Sequence, residues 1–419
     1  MNLSPVVIAI PMYFLLMAIE LIVLRFQKNP SYRMNDAITN INLGVVSQVT
    51  GVFLKILSIG IYTILFEKFA LLSIPNNLWS FLLLFFLYDF CYYWAHRKSH
   101  EINLFWGGHV VHHSSEEYNL SVALRQSSTQ TIWTFMFYLP LAIIGFDPIQ
   151  LVLVSGLNLL YQFWIHTEAI DRMGFLEKFM NTPSHHRVHH GRNPKYIDKN
   201  HGGTFIIFDK WFGTFQEEEE RPTYGITTPV NSWNPVWVNL SHYVNMKNEL
   251  AQIKTWRNKL KYLFYKPGWL PDDLGGYRAV KDIGPDYKKF DTTVPNALNH
   301  YVFFQYLILM GLTAYFLFNL NKLDVTQQIS FSVLIIWSTV SFSAIFEQNK
   351  WYQIQEIIRV AILSAFIVYI AIAEIDQNII LIVLSGYTLC SYFWLWKNHR
   401  TIQRFQKSVS NQIENVQQI

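Results

Sequence analysis

His96-Arg97-Lys98-Ser99-His100, His109-Val110-Val111-His112-His113 and His186-Arg187-Val188-His189-His190 are the three runs on which the reading of this chain turns. With His166 and His185 they put ten of the fourteen histidines between positions 96 and 190. On a helix, residues three and four apart share a face, so His96 pairs with His100, His109 with His112 and His113, and His186 with His189 and His190. Each run is therefore expected to converge on one point, and imidazoles aimed inward from three short helices make a metal site. His166 closes an apolar stretch in Trp164-Ile165-His166-Thr167-Glu168, and His185 stands four residues before His189, so both join the expected ligand set.

Outward from these runs the chain is apolar. Of its 419 residues 51% are hydrophobic and 16% aromatic, against 15% charged, which are proportions of a membrane protein. Segments 4–25, 42–66, 78–95, 131–145, 148–166, 301–319, 329–346, 355–373 and 378–396 approach the roughly 20 residues needed to cross a bilayer. The fold is predicted to be an all-α multi-pass membrane protein of about nine transmembrane helices with a cytoplasmic, histidine-rich di-metal cap. The shortest segment, 131–145, is expected to form a tilted or re-entrant pair with 148–166 around Asp147-Pro148. The first segment lacks a charged leader and a cleavage site and is expected to stay as an anchor.

Arg25, Lys28 and Arg33 place the loop after the first segment in the cytoplasm and the N-terminus outside. Alternation then carries all three histidine runs to the cytoplasmic face, and Lys397, Arg400, Arg404 and Lys407 put the C-terminus there too. The host membrane is a bacterial cell membrane or the endoplasmic reticulum, according to source. Four domains are expected: N-terminal transmembrane helices over 1–77, the histidine-bearing segment over 78–216, a cytoplasmic or interfacial cap over 217–300, and a C-terminal bundle and tail over 301–419. No clustering of polar residues is visible in the last of these.

Cys91 and Cys390 both fall inside apolar segments, which leaves no disulfide framework and no cysteine metal site. The net charge of +4 is scattered, so nucleic acid is not an expected partner. Asp89 lies seven residues before His96, two turns away on the same face, and is predicted to accept the spare ring N–H of a ligand imidazole.

Neutral imidazole suits iron, zinc, copper and nickel alike. One tetrahedral zinc uses four ligands, whereas eight to ten histidines fit two ions of higher coordination that keep open positions. Two irons facing an apolar bundle suit activation of O2 and attack on an unactivated C–H bond of a lipid from the bilayer. His100-Glu101-Ile102-Asn103-Leu104 lacks the second histidine of a zinc protease, and no serine-lipase elbow is present.

The three boxes, HxxxH, HxxHH and HxxHH, resemble the fatty acid hydroxylase and sterol desaturase superfamily of membrane di-iron enzymes over about residues 78–216. His100-Glu101-Ile102-Asn103, the run Asn181 to His190, and Ile197-Asp198-Lys199-Asn200 with Gly202-Gly203 are similar to its branch that cleaves glyceryl ether lipids. That resemblance implies two irons per chain held by the eight box histidines, with Glu101 a functional carboxylate nearby. It also implies a tetrahydrobiopterin-dependent oxidation of the ether-bearing carbon, giving a fatty aldehyde and a glycerol derivative. One departure is His201, which stands where that branch commonly has tyrosine. A sterol desaturase or a fatty acid or carotenoid hydroxylase would keep the boxes but draw electrons from a cytochrome or ferredoxin partner. A histidine-lined metal transporter would need polar residues at mid-membrane, whereas these cluster at segment ends.

Overall fold

A computed structural model describes residues 9–281, 287–371 and 382–398. Among them the regular structure is helical, and pairing of extended chain is confined to two isolated bridges, Met180 with Phe205 and Gly191 with Tyr224. The chain divides into two compact units, Met1–Asn231 with Val236–Phe290, and Ser232–Pro235 with Asp291–Ile419.

The first unit is built on α1 (Ile10–Phe26), the 36-residue α2 (Met34–Phe69) and α3 (Leu78–Glu101). Asn77 starts α3 by accepting from the backbone of Trp79 and Ser80, while Ser80 reaches back to the Asn77 N–H. The short α4 (Asn103–His113) follows after a single residue. Beyond it come α5 (Leu120–Ala123), α6 (Gln130–Thr134), α7 (Leu139–Ile144) and α8 (Pro148–Trp164). Next are α9 (Pro183–His190), α10 (Ile207–Phe212), α11 (Pro235–Gln252) and α12 (Trp256–Phe264). Tyr62 of α2, Leu84 and Tyr88 of α3, Leu141 and Ala142 of α7, and Phe146 and Val154 around α8 pack into one apolar cluster.

Five helices among the described residues are long and apolar enough to cross a membrane: Met34–Leu54, Leu78–Glu101, Asn296–Lys322, Val325–Phe346 and Tyr352–Tyr369. The protein is thus an all-helical membrane protein, with fewer such helices than the nine segments expected. The 131–145 stretch is split into α6, a 3-10 turn at Phe135–Tyr138 and α7, which stops where Gly145 turns left-handed at φ +116°. The helices α1 and α8 have 17 residues each, about 26 Å at 1.5 Å per residue and short of a hydrocarbon core of about 30 Å. The expected segment 378–396 lies partly outside the described residues.

The second unit comprises α13 (Asn296–Asn319), α14 (Val325–Phe346), α15 (Tyr352–Ala371) and helical residues 382–398. Its helices gather polar groups that looked unclustered in sequence. Arg359 and Glu356 of α15 are both 0% exposed. Arg359 clasps Glu356 through Nε at 2.7 Å and Nη2 at 2.8 Å. Tyr301 and Ser341 also donate to that carboxylate, and Gln305 accepts from Arg359 and from Tyr387. Each helix thus contributes to one buried network, the usual way polar residues tie apolar helices together.

Candidate metal centre

The last turns of α3 present His96 and His100, α4 presents His109, His112 and His113, α9 presents His186, His189 and His190, and His166 follows the end of α8. All of these side chains are buried. Their ring nitrogens fall into two groups, His96, His100, His109, His113 and His189 in one, and His112, His166, His186 and His190 in the other. Within each group the ligand atoms lie within 4.8 Å of one another. The groups adjoin, with the rings of His113 and His190 stacked at 4.4 Å.

Each HxxHH box is shared between the groups instead of converging on one point. His109 and His113 face the first group and His112 the second, while His186 and His190 face the second and His189 the first. Helix geometry explains the partition: residues four apart differ by about 40° around the axis, whereas neighbours differ by about 100° and cannot aim at the same ion.

The separations suit a shared ion. Nε2 of His96 lies 2.8 Å from Nε2 of His109, which is 3.0 Å from Nε2 of His113. In the second group Nε2 of His166 lies 3.2 Å from that of His112 and 3.0 Å from that of His186. Two ligands on a metal with bonds of about 2.0–2.1 Å stand about 2.9–3.4 Å apart. The outer nitrogens donate to backbone carbonyls: Nδ1 of His96 to His201 at 2.8 Å, of His112 to Arg125 at 2.9 Å, of His166 to Gln162 at 2.7 Å and of His189 to Lys199 at 2.9 Å. That fixes the tautomer with the Nε2 lone pair inward. Nε2 of His100, His189 and His190 are buried without hydrogen-bond partners, as donors awaiting an ion would be.

Burial, reinforced by neighbouring imidazoles, holds His109, His113, His186, His189 and His190 well below the usual histidine value, and burial takes His112 down to about 4. All six are therefore neutral near pH 7, the form that binds metal.

Buried salt links and turns hold the ligand-bearing elements in place. Arg187, inside the third box, grips Glu218 through Nε at 2.8 Å and Nη2 at 2.7 Å and donates from Nη1 to the Ile170 carbonyl at 2.6 Å. Arg125 donates to the Val111 carbonyl at 2.8 Å and to Asn40 of α2 at 2.7 Å, while its own carbonyl takes the His112 ring proton. Asp89 does not reach a histidine ring. It accepts from the backbone of Thr204 and Phe205, both at 2.8 Å, and from Asn158 at 2.6 Å. Asp209 holds the other side of that turn, accepting from the backbone of His201 and Gly202 and from the Thr214 hydroxyl, each at 2.7 Å. Gly203 is needed here, because a Cβ would stand 2.5 Å from the Asp89 carboxylate. The expected contact of Asp89 with a ligand imidazole is therefore not made; Asp89 instead holds the turn whose His201 carbonyl orients His96.

Glu101 stands outside both groups and pairs with Arg97 at 2.8 Å and Lys98 at 2.6 Å. His185 also lies outside them, its ring edge-on to Phe215 at 5.4 Å. Sequence reasoning passed over Asp209, Arg125 and Glu218, whose partners lie far along the chain or on its backbone and leave no periodic trace. Asp209→Ala strands the buried N–H groups of His201 and Gly202 at about 1–3 kcal/mol each. It is expected to lower the melting temperature by several degrees and metal affinity about 10–100-fold, measured by thermal unfolding and metal titration. An unchanged affinity would detach the turn from the metal centre.

Two adjoining, all-imidazole groups at the ends of apolar helices define a histidine-rich membrane metalloprotein, and residues 81–214 match the fatty acid hydroxylase family. The chain is 40% identical to alkylglycerol monooxygenase of Xenopus tropicalis over 302 residues, 71% of this chain and 68% of that protein. It is 40% identical to the Homo sapiens alkylglycerol monooxygenase over 308 residues, 72% and 69% of the two, and 36% identical to that of Danio rerio over 343 residues, 81% and 77%. The chain belongs to the alkylglycerol monooxygenase family. No solved structure matches it.

Proposed function

We propose that this lipid monooxygenase binds two irons and oxidises the ether-bearing carbon of alkylglycerols drawn from the bilayer. The observation that carries the reading is the pair of adjoining groups, nine buried imidazoles in all, with no cysteine or carboxylate among them. Donors of that kind and number favour two ions of higher coordination over one tetrahedral zinc. His96, His100, His109, His113 and His189 would hold one iron, and His112, His166, His186 and His190 the other. His185, Glu101 and Asp89 support them from outside. When bound, the irons supply the one-electron chemistry that lets O2 react with a C–H bond.

The chain's own groups do the rest. Backbone carbonyls keep the ring lone pairs inward, burial keeps bulk water out, and the apolar helices present a lipid chain to the site from its own solvent. One oxygen atom enters the C–H bond beside the ether oxygen, and the other leaves as water with two protons and two electrons from tetrahydrobiopterin. The resulting hemiacetal breaks its C–O bond, giving a fatty aldehyde and a free glycerol hydroxyl. In this reading residues 78–216 are the catalytic domain between helices of 1–77 and an interfacial segment of 217–300, with 301–419 a C-terminal bundle and tail. The loop charges direct the histidine end and the C-terminus to the cytoplasm.

The test is conversion of an alkylglycerol by purified protein in detergent. Fatty aldehyde is expected only when O2, iron and tetrahydrobiopterin are all present. Turnover supported by a reduced cytochrome or ferredoxin, with none from the pterin, would replace the reductant in this reading, and turnover by iron-free protein would end it.

A further inference from the structure

The helix α12 turns an apolar stripe outward. Trp256, Leu260 and Phe264 stand four apart on one helical face, yet they are 77%, 55% and 55% exposed. The opposite side is the one that packs, with Tyr262 buried beside Met246, Ile253 and Leu270. Residues 254–266 also carry Lys254, Arg257, Lys259, Lys261 and Lys266 with no acidic residue among them. Lys254 pairs with Asp273 at 3.8 Å and Lys266 with Asp198 at 3.3 Å. Lys259 and Lys261 lie instead over aromatic rings, the first 5.4 Å from the centre of the Trp256 ring and the second 4.4 Å from that of Trp269. Basic side chains that run along aromatic rings keep their charge at the rim of an apolar face, the form suited to a headgroup layer.

The place of the helix points the same way. α3 is long and apolar enough to cross a membrane and ends at Glu101. Two residues on, Asn103 donates its N–H to the Tyr265 carbonyl at 2.9 Å and its side-chain amide to the Tyr262 carbonyl at 3.2 Å. The end of α12 is thereby fastened beside the end of a membrane-crossing helix, which puts the uncovered stripe at the bilayer edge. We propose that α12 lies in the headgroup layer and binds anionic phospholipid, its stripe entering the acyl boundary and Arg257, Lys259 and Lys261 meeting phosphates. Asn103 also begins α4, the helix of His109, His112 and His113, so the anchor sets the depth of that box. In the monooxygenase reading above, on which this consequence rests, that depth matches the ether carbon of an alkylglycerol, one ether oxygen away from the glycerol at the polar boundary.

The test uses the full chain in lipid nanodiscs, with Cys91→Ala and Cys390→Ala as background and a nitroxide placed at Leu260→Cys or Phe264→Cys. Electron paramagnetic resonance then compares collisions with O2, which dissolves in lipid, and with a water-soluble nickel chelate. In phosphatidylcholine containing phosphatidylglycerol, both labels are expected to favour O2 severalfold. In phosphatidylcholine alone, or at high salt, that preference is expected to fall. Arg257→Glu with Lys261→Glu is expected to remove the gain from phosphatidylglycerol, and the salt series tests the same charges without a substitution. Labels open to the nickel chelate in both nanodiscs would overturn the proposal and leave the stripe to a protein partner. Equal shielding with and without phosphatidylglycerol, unmoved by salt, would overturn the recognition of anionic lipid. Neither metal nor turnover enters this readout, so missing iron or missing aldehyde would overturn the functional reading and its depth argument while the lipid contact stands.

Discussion

Alanine at His166 is expected to abolish alkylglycerol turnover and to release one of two irons, while alanine at His185 keeps both irons and costs no more than about 10–100-fold in rate. The two histidines look equivalent in sequence, each adjoining a helix that carries or abuts a box. The structure separates them. Nε2 of His166 lies 3.2 Å from that of His112 and 3.0 Å from that of His186, and its Nδ1 is fixed on the Gln162 carbonyl at 2.7 Å. Removing it takes one of only four donors from the second group. A residue supporting a ligand from outside costs about 10–100-fold when lost, and a ligand of a four-donor site should cost more than about 100-fold. His185 belongs to the supporting kind, with its ring against Phe215. The comparison is read from iron content and aldehyde formation in matched preparations. Normal iron and rate in His166→Ala would remove it from the centre.

Stripping the metal with a chelator is expected to leave a protein that melts progressively earlier as the pH falls from about 6.5 towards 4, while the iron-loaded protein resists over most of that range. The histidines of α4 and α9 are held neutral by burial, His112 with a value lowered to about 4. An unfolded chain frees them to take up protons near pH 6.5, so between that value and the folded one the unfolded state binds more protons and stability falls with pH. The loss begins below 6.5 and levels once the folded-state value is passed. For His112 alone the fall from the usual histidine value to about 4 is worth about 3 kcal/mol by pH 4. His109, His113, His186, His189 and His190 act in the same direction. Bound iron occupies the lone pairs that protons would take, which moves the loss to lower pH. Melting temperatures of both forms at pH 8, 6.5 and 5 decide the matter, and a flat profile for the stripped protein would contradict neutral, buried rings.

The histidine runs were legible because helical spacing writes itself into sequence at intervals of three and four. What periodicity could not show was the split of each HxxHH box, since the two groups of ring nitrogens lie on either side of the ridge that His112 and His113 straddle. Asp89 shares a face of α3 with His96, but its partners are the Asn158 side chain and two backbone N–H groups more than a hundred residues away. Nine segments are apolar enough to be expected as spans, and five helices among the described residues have the length and hydropathy to cross a membrane. Hydropathy sees the content of 131–145 and misses the 3-10 turn at Phe135–Tyr138 within it and the stop at Gly145. In the second unit the polar network was hidden because α13 and α14 lend it only Tyr301, Gln305 and Ser341, diluted among apolar neighbours.

That network also bears on how the chain enters its membrane. An isolated arginine or carboxylate near the middle of an inserting helix costs about 2.5–3.5 kcal/mol, enough to stall a segment of modest hydropathy such as Tyr352–Tyr369. Arg359 and Glu356 stand three apart on the same helix, so the pair closes within one turn and needs no neighbouring helix to form. α15 therefore meets the lipid carrying a dipole in place of two ions. Tyr301, Ser341 and Gln305 then supply, after insertion, the hydrogen bonds that water gave before it.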